Sequence, residues 1–144
     1  MKFKYTLLCS AALLAFGLAS AQAKSFKWSS ASDIPTLDIH SQNNALGNGV
    51  HAAIYESLVY YNSKTFKVEP LLATAWREVT PTQVRFTVRP GVKFSDGTPL
   101  TSDDVVFSIQ RAMAKSSNYA VYTQGSDQAV KADDNSVYRM LKGA

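Results

Sequence analysis

His40 and His51 are the only imidazoles in the chain, and eleven positions separate them. Two histidines that grip a metal from one helix stand three or four apart, and no carboxylate is suitably placed between these two. The pair reads as structural, at the surface or hydrogen-bonded. Asp103 and Asp104 are adjacent acids and invite comparison with a catalytic dyad. Neighbouring helix positions point about 100° apart, so the two carboxylates diverge, and capping of a helix start accounts for both. Asp96 precedes Gly97 and serves a tight turn, where glycine tolerates positive φ and aspartate bonds its own backbone. No serine sits in a nucleophile elbow, and no glycine-rich phosphate loop is spelled out. The single cysteine, Cys9, lies in an apolar run near the start. This inventory points away from catalysis: no catalytic residue, no metal ligand and no cofactor is assigned.

The elements that must carry these residues are legible from pattern. Val84, Phe86 and Val88 alternate with Arg85, Thr87 and Arg89, as in a half-buried strand. Pro90-Gly91 breaks that strand, and a short run over 92–94 meets the Asp96-Gly97 turn. Thr101 and Asp104 have the spacing of a capping box, with Asp103 and Asp104 placing negative charge at the helix start. Val105, Val106, Ile109, Ala112 and Met113 then form one helical stripe. Elsewhere, Phe26 and Trp28 alternate as a short strand. A helix is expected over about 46–60, starting late near Asn48 because Gly47 and Gly49 weaken its first turn. A short strand follows over 66–68, then a short helix over 71–76 with Pro70 ahead of it. Strands over 77–80 and 83–89 flank Thr80-Pro81-Thr82, and strands over 130–132 and 136–141 flank Asp133-Asp134-Asn135. Most of the aromatic residues, Trp28, Trp76, Phe86, Phe94, Phe107 and the tyrosines, recur at the period of their own elements, which assigns them to a core. Tyr119 and Tyr122 lie in a segment without a period, 116–126, read as loop, and are the two aromatics open to a stacking role.

The chain begins like an export signal. Lys2 and Lys4 precede a charge-free apolar run over 7–18, and Ala21-Gln22-Ala23 fits the small-x-small cleavage rule. The run is short of the ~20 residues a spanning helix needs. Cleavage near Ala23 leaves 121 residues, the usual size of one domain. Cys9 comes too early for a lipid-anchor site, so the mature protein has no thiol and is not a lipoprotein. It carries 13 basic against 11 acidic residues, scattered without a dense block, which argues against a nucleic-acid or membrane surface.

The string Arg89 to Ser108, RPGVKFSDGTPLTSDDVVFS, closely resembles the signature of the bacterial solute-binding proteins of family 5, the peptide-, nickel- and opine-type receptors of ABC importers. Three further segments resemble that family in its own order: Leu37-Asp38-Ile39-His40, with Ile39 where the usual element has proline; Tyr55-Glu56-Ser57-Leu58-Val59; and Pro70-Leu71-Leu72-Ala73-Thr74-Ala75-Trp76.

The resemblance implies an α/β, class II periplasmic-binding-protein fold of two lobes, of which this chain is an amino-terminal fragment. Residues 24–56 would be the first segment of the main lobe and 57–144 an incomplete accessory domain. It further implies a periplasmic, monomeric receptor that captures peptides or similar solutes and presents them to ABC permease subunits in the inner membrane. In peptide-binding relatives the loop after the first strand lines the cleft, which maps onto Ser32, Asp33 and Ile34. The resemblance implies a binding protein that is not an enzyme, with the fragment lacking affinity alone. A stand-alone secreted interaction module or a secreted hydrolase are the alternatives.

Overall fold

A computed structural model describes Ser25 and residues 27–143. The expected export signal and Cys9 lie outside the described residues. The chain divides at Ala31 and Ser32 into two units. In the first, residues 27–30 form no strand, contrary to the alternation of Phe26 and Trp28; Phe26 itself lies outside the described residues. Trp28 is exposed there and is not a core residue.

In the second unit, irregular chain over 32–44 leads into helix α1, Ala45–Ile54. It starts three residues earlier than the glycines imply. Asn44 explains the difference: its Oδ1 accepts the Gly47 N–H at 2.8 Å, satisfying an N–H that has no partner within the helix. A Cβ on buried Gly47 would meet that Oδ1 at 3.3 Å, so glycine lets the cap sit close.

The helix also stops earlier than expected, at Ile54, with Tyr55 already extended. Val59–Asn62 instead forms strand β1, antiparallel to β2, Lys67–Pro70, with Tyr61 opposite Val68. β-branched and aromatic residues fit such a ribbon better than a helix. Phe66 is not part of β2; it occupies the turn, with φ 56°.

A second sheet has the order β3-β4-β6-β5, from β3 (Ala73–Thr80), β4 (Gln83–Val88), β5 (Ser126–Asp133) and β6 (Ser136–Leu141). All neighbours are antiparallel. The expected helix over 71–76 is therefore a strand over most of its length. Helix propensity of Leu and Ala is a weak preference, and pairing overrides it: Ala73 registers with Val88 and Trp76 with Phe86. Leu72 O also accepts the Arg89 N–H at 2.8 Å.

Helix α2, Ser102–Met113, joins β4 to β5. Its capping box is complete, Thr101 N–H donating to Asp104 Oδ2 at 2.8 Å and Asp104 N–H to Thr101 Oγ1 at 3.3 Å. Val105, Val106 and Ile109 of the stripe read from spacing pack against Val88 and Val137 of the sheet. Val88, Val105 and Val137 are buried together, flanked by Leu58, Phe86, Leu100, Val106 and Ile109. Gln110 Nε2 ties the helix to Ala129 O of β5 at 3.1 Å. Of the aromatics assigned to a core, Phe86 joins this cluster; Trp76, Phe94, Phe107, Tyr55, Tyr60 and Tyr61 are exposed. Phe107 lies two positions from both Val105 and Ile109, about 200° round the helix, and so faces away from the buried stripe. A short 3-10 turn, Ala120–Thr123, follows α2.

Candidate functional site

Asp38 opens a turn held by its own side chain. Oδ1 accepts the His40 N–H at 3.1 Å, and the Asp38 carbonyl accepts both the Ser41 N–H and its hydroxyl, at 3.2 and 3.1 Å. Such Asx turns replace regular structure where the chain changes direction. Arg111, in the last turn of α2, reaches across 73 positions to grip the carboxylate with both arms. Nη1 donates to Oδ1 at 2.6 Å and Nη2 to Oδ2 at 2.5 Å. This two-pronged geometry is specific to guanidinium. The Arg111 bond, helped by the His40 N–H, holds the Asp38 carboxyl down at about 2. The same pairing raises Arg111.

Arg111 Nη1 also lies 2.9 Å from His40 Nδ1. A guanidinium has only donors, so Nδ1 must present its lone pair and the imidazole is neutral, protonated on Nε2. Burial, reinforced by the Arg111 charge, lowers the His40 pKa, with Asp38 opposing.

The segment after α2 closes over the same turn. Asn118 N–H donates to His40 O at 2.9 Å and its side chain to Ser41 O at 2.5 Å. The Tyr119 ring stands edge-on to His40, centroids 6.1 Å apart, while its hydroxyl donates to Asn48 Oδ1 of α1 at 2.8 Å. Asn43 Nδ2 donates to the Tyr122 hydroxyl at 3.1 Å. At the other end, the Tyr55 hydroxyl donates to Leu37 O at 2.9 Å. Tyr119 and Tyr122, singled out for lacking a period, are thus structural fasteners in this structure.

Chemically the arrangement joins segments. The Asp38 carboxylate is neutralised by a cation and is too weak a base to take protons near neutrality. No nucleophile among the described residues is set against His40. Asp103 pairs with Lys131 at 3.2 Å and Asp104 caps α2, so the adjacent acids diverge as their spacing requires. Asp96 Oδ1 accepts the Thr98 N–H at 2.9 Å, with Gly97 at φ 89°. His51 stands apart from His40. It is 2% exposed, edge-on to Tyr55, and neither ring nitrogen finds a hydrogen-bond partner among the described residues. The sequence reading placed it at the surface or in a hydrogen bond; the structure corrects both expectations. Ser32 and Asp33 are exposed and Ile34 half-buried, in irregular chain leading toward Asp38.

Asp38 and His40 lie in the Leu37-Asp38-Ile39-His40 motif, but nothing local to Arg111 or Asn118 marks either as a partner. Only the register of α2 against the early segment reveals them.

Residues 67–140 match the family model described as bacterial extracellular solute-binding proteins, family 5 middle. The HTH-type transcriptional regulator SgrR of Escherichia coli O6:K15:H31 is 40% identical over 58 residues, 40% of this chain and 10% of its own. Among solved structures, the periplasmic oligopeptide-binding protein of an oligopeptide ABC transporter from Thermotoga maritima is 29% identical. It matches at a TM-score of 0.56 over 62% of this chain and 17% of its own. The binding protein MoaA of A. tumefaciens R10, in complex with mannopinic acid, is 27% identical at a TM-score of 0.69, over 76% of this chain and 24% of its own. The chain therefore spans about a tenth of the curated relative's length and a quarter or less of the solved receptors. The fold is the α/β fold of periplasmic binding proteins, over part of those receptors. By its sequence over 67–140 and by that fold, the chain belongs to family 5 of the bacterial extracellular solute-binding proteins.

Proposed function

We propose that the chain is the amino-terminal part of the extracytoplasmic receptor of an ABC importer, capturing peptides or similar small solutes for transport. The observation that carries this reading is the family match over 67–140, joined to its likeness to solved periplasmic receptors. The leader-like first 23 residues support export with cleavage near Ala23, without a lipid anchor. Residues 24–56 supply the first segment of the main lobe and 57–144 accessory-domain structure. The role is binding, and the tied Asp38 carboxylate fits scaffolding better than proton transfer.

The solute-facing residues in this reading are Ser32, Asp33 and Ile34. An extended peptide can pair with backbone there, and the exposed Asp33 carboxylate suits a cationic amine. Closure of a second lobe about a hinge completes the cleft, so residues 24–144 alone have negligible affinity. In a receptor carrying this chain as its amino-terminal part, Asp33→Ala weakens retention of peptides with a free amine, measured by native mass spectrometry against an oligopeptide mixture. Unchanged retention would remove Asp33 from the site, and a receptor that retains no peptide would remove the solute class.

The kinship with SgrR, whose name describes a transcriptional regulator, favours a second reading as the sensing part of an intracellular regulator. The mature N-terminus separates the two. The receptor reading expects a periplasmic protein starting at Lys24, and a cytoplasmic protein retaining Met1 would support the regulator.

A further inference from the structure

We propose that the contact between His40 and Arg111 is a proton-operated latch. It holds the turn at 38–41 against α2 and the segment that follows while the imidazole is neutral, and releases it when the imidazole is protonated.

The argument begins with donors and acceptors. Arg111 Nη1 lies 2.9 Å from His40 Nδ1 and 2.6 Å from Asp38 Oδ1. A guanidinium cannot accept a hydrogen bond, so the contact exists only with the lone pair on Nδ1. Protonation removes that acceptor and sets two cations against each other at hydrogen-bond distance. The ring has little room to move without disturbing its neighbours. Its own residue is fastened at both backbone groups, His40 N–H to Asp38 Oδ1 and His40 O to the Asn118 N–H, and Tyr119 closes one side. In the proposed latch, repulsion at the ring loosens the backbone bonds on either side.

Three groups face the imidazole: Arg111 from α2, Asp38 from its own turn, and Tyr119 from the segment after α2. Arg111 disfavours the charged ring and Asp38 favours it; the net direction, with burial, is a lowered pKa. The sign follows from linkage. A histidine whose folded pKa lies below its unfolded value supports the fold fully above the unfolded pKa, near 6.5. That support is lost as pH falls through the lower, folded value. The Asp38 carboxyl stays ionised until about 2, so its grip on Arg111 outlasts the His40 contact. Protonation of His40, at a pH below 6.5 and above the Asp38 midpoint, thus frees one strand of the latch and leaves the other fastened, which makes the release local and reversible.

The test uses the full chain and His40→Asn, whose side-chain oxygen sits near the position of Nδ1 and accepts without titrating. Imidazole proton resonances are followed by NMR against pH, the signal absent from His40→Asn identifying His40. Amide exchange, corrected for intrinsic rates, is followed in parallel. The expected result is a His40 midpoint below 6.5, together with a loss of protection at Ser41 and Asn118 that follows the His40 titration. Amides in the middle of α2 keep theirs, and His40→Asn shows no such loss. Equal acid-induced loss in wild type and variant overturns the proposal. Should the variant not fold, a wild-type His40 midpoint at or above 6.5 overturns it alone.

Discussion

Arg111 and Asp38 meet through both arms of the guanidinium, yet the carboxylate side chain keeps 35% of its surface exposed. Water and salt therefore screen the attraction, and its clearest signature is pH dependence. The Asp38 pKa falls from 3.8 to about 2. Its stabilisation is complete above 3.8 and is lost as pH drops through the folded value. Asp38→Asn is expected to flatten acid unfolding across that window, monitored by circular dichroism, and a curve parallel to wild type would show the pair to be energetically silent. Phe66 is a second residue-scale case. It stands 76% exposed with φ 56°, a left-handed conformation that costs a side chain roughly 1–2 kcal/mol. Asparagine tolerates it by bonding locally. Phe66→Asn should raise stability by up to about 1 kcal/mol in urea titration, and a destabilised variant would show that contacts of the ring outweigh the strain.

Elements specified by their own local chemistry were legible in the sequence. The capped helix α2, the Asp96-Gly97 turn and the β3–β4 and β5–β6 hairpins each carry a sufficient signal in a few adjacent residues. Thr101→Ala tests one of them: losing the side-chain acceptor for the Asp104 N–H should cost about 1 kcal/mol, read by thermal unfolding, and no change would mean solvent replaces the cap. Elements specified by a distant partner were misread. The start of β3 has the composition of a helix, and Val59–Asn62 looked like the end of one; each is a strand because another strand lies beside it. The placement of β6 between β4 and β5 has no local signal either. The same division holds at the candidate site. Asp38 and His40 stood within a recognisable motif, while Arg111 and Asn118, 73 and 78 positions from their partners Asp38 and His40, belong to elements whose docking no short window encodes. The solute-facing assignment of Ser32, Asp33 and Ile34 rests on resemblance, because their irregular segment contains no pattern that geometry alone would select.

Among the described residues, taken together, few apolar side chains are buried. Leu72, Ala73, Val88, Val105, Ala129 and Val137 are the buried hydrophobic residues, and Tyr60, Tyr61, Phe66, Phe107 and Tyr122 remain half or more exposed. That balance accords with the proposed reading of the chain as part of a lobe that closes on a second one. The role as a solute receptor is tested most directly by calorimetric titration with an oligopeptide mixture, run in parallel on purified 24–144 and on a receptor that contains it. Saturable heat from the receptor and none from 24–144 is the predicted result. Saturable binding by 24–144 alone, or hydrolysis of the peptides by either protein, would contradict it.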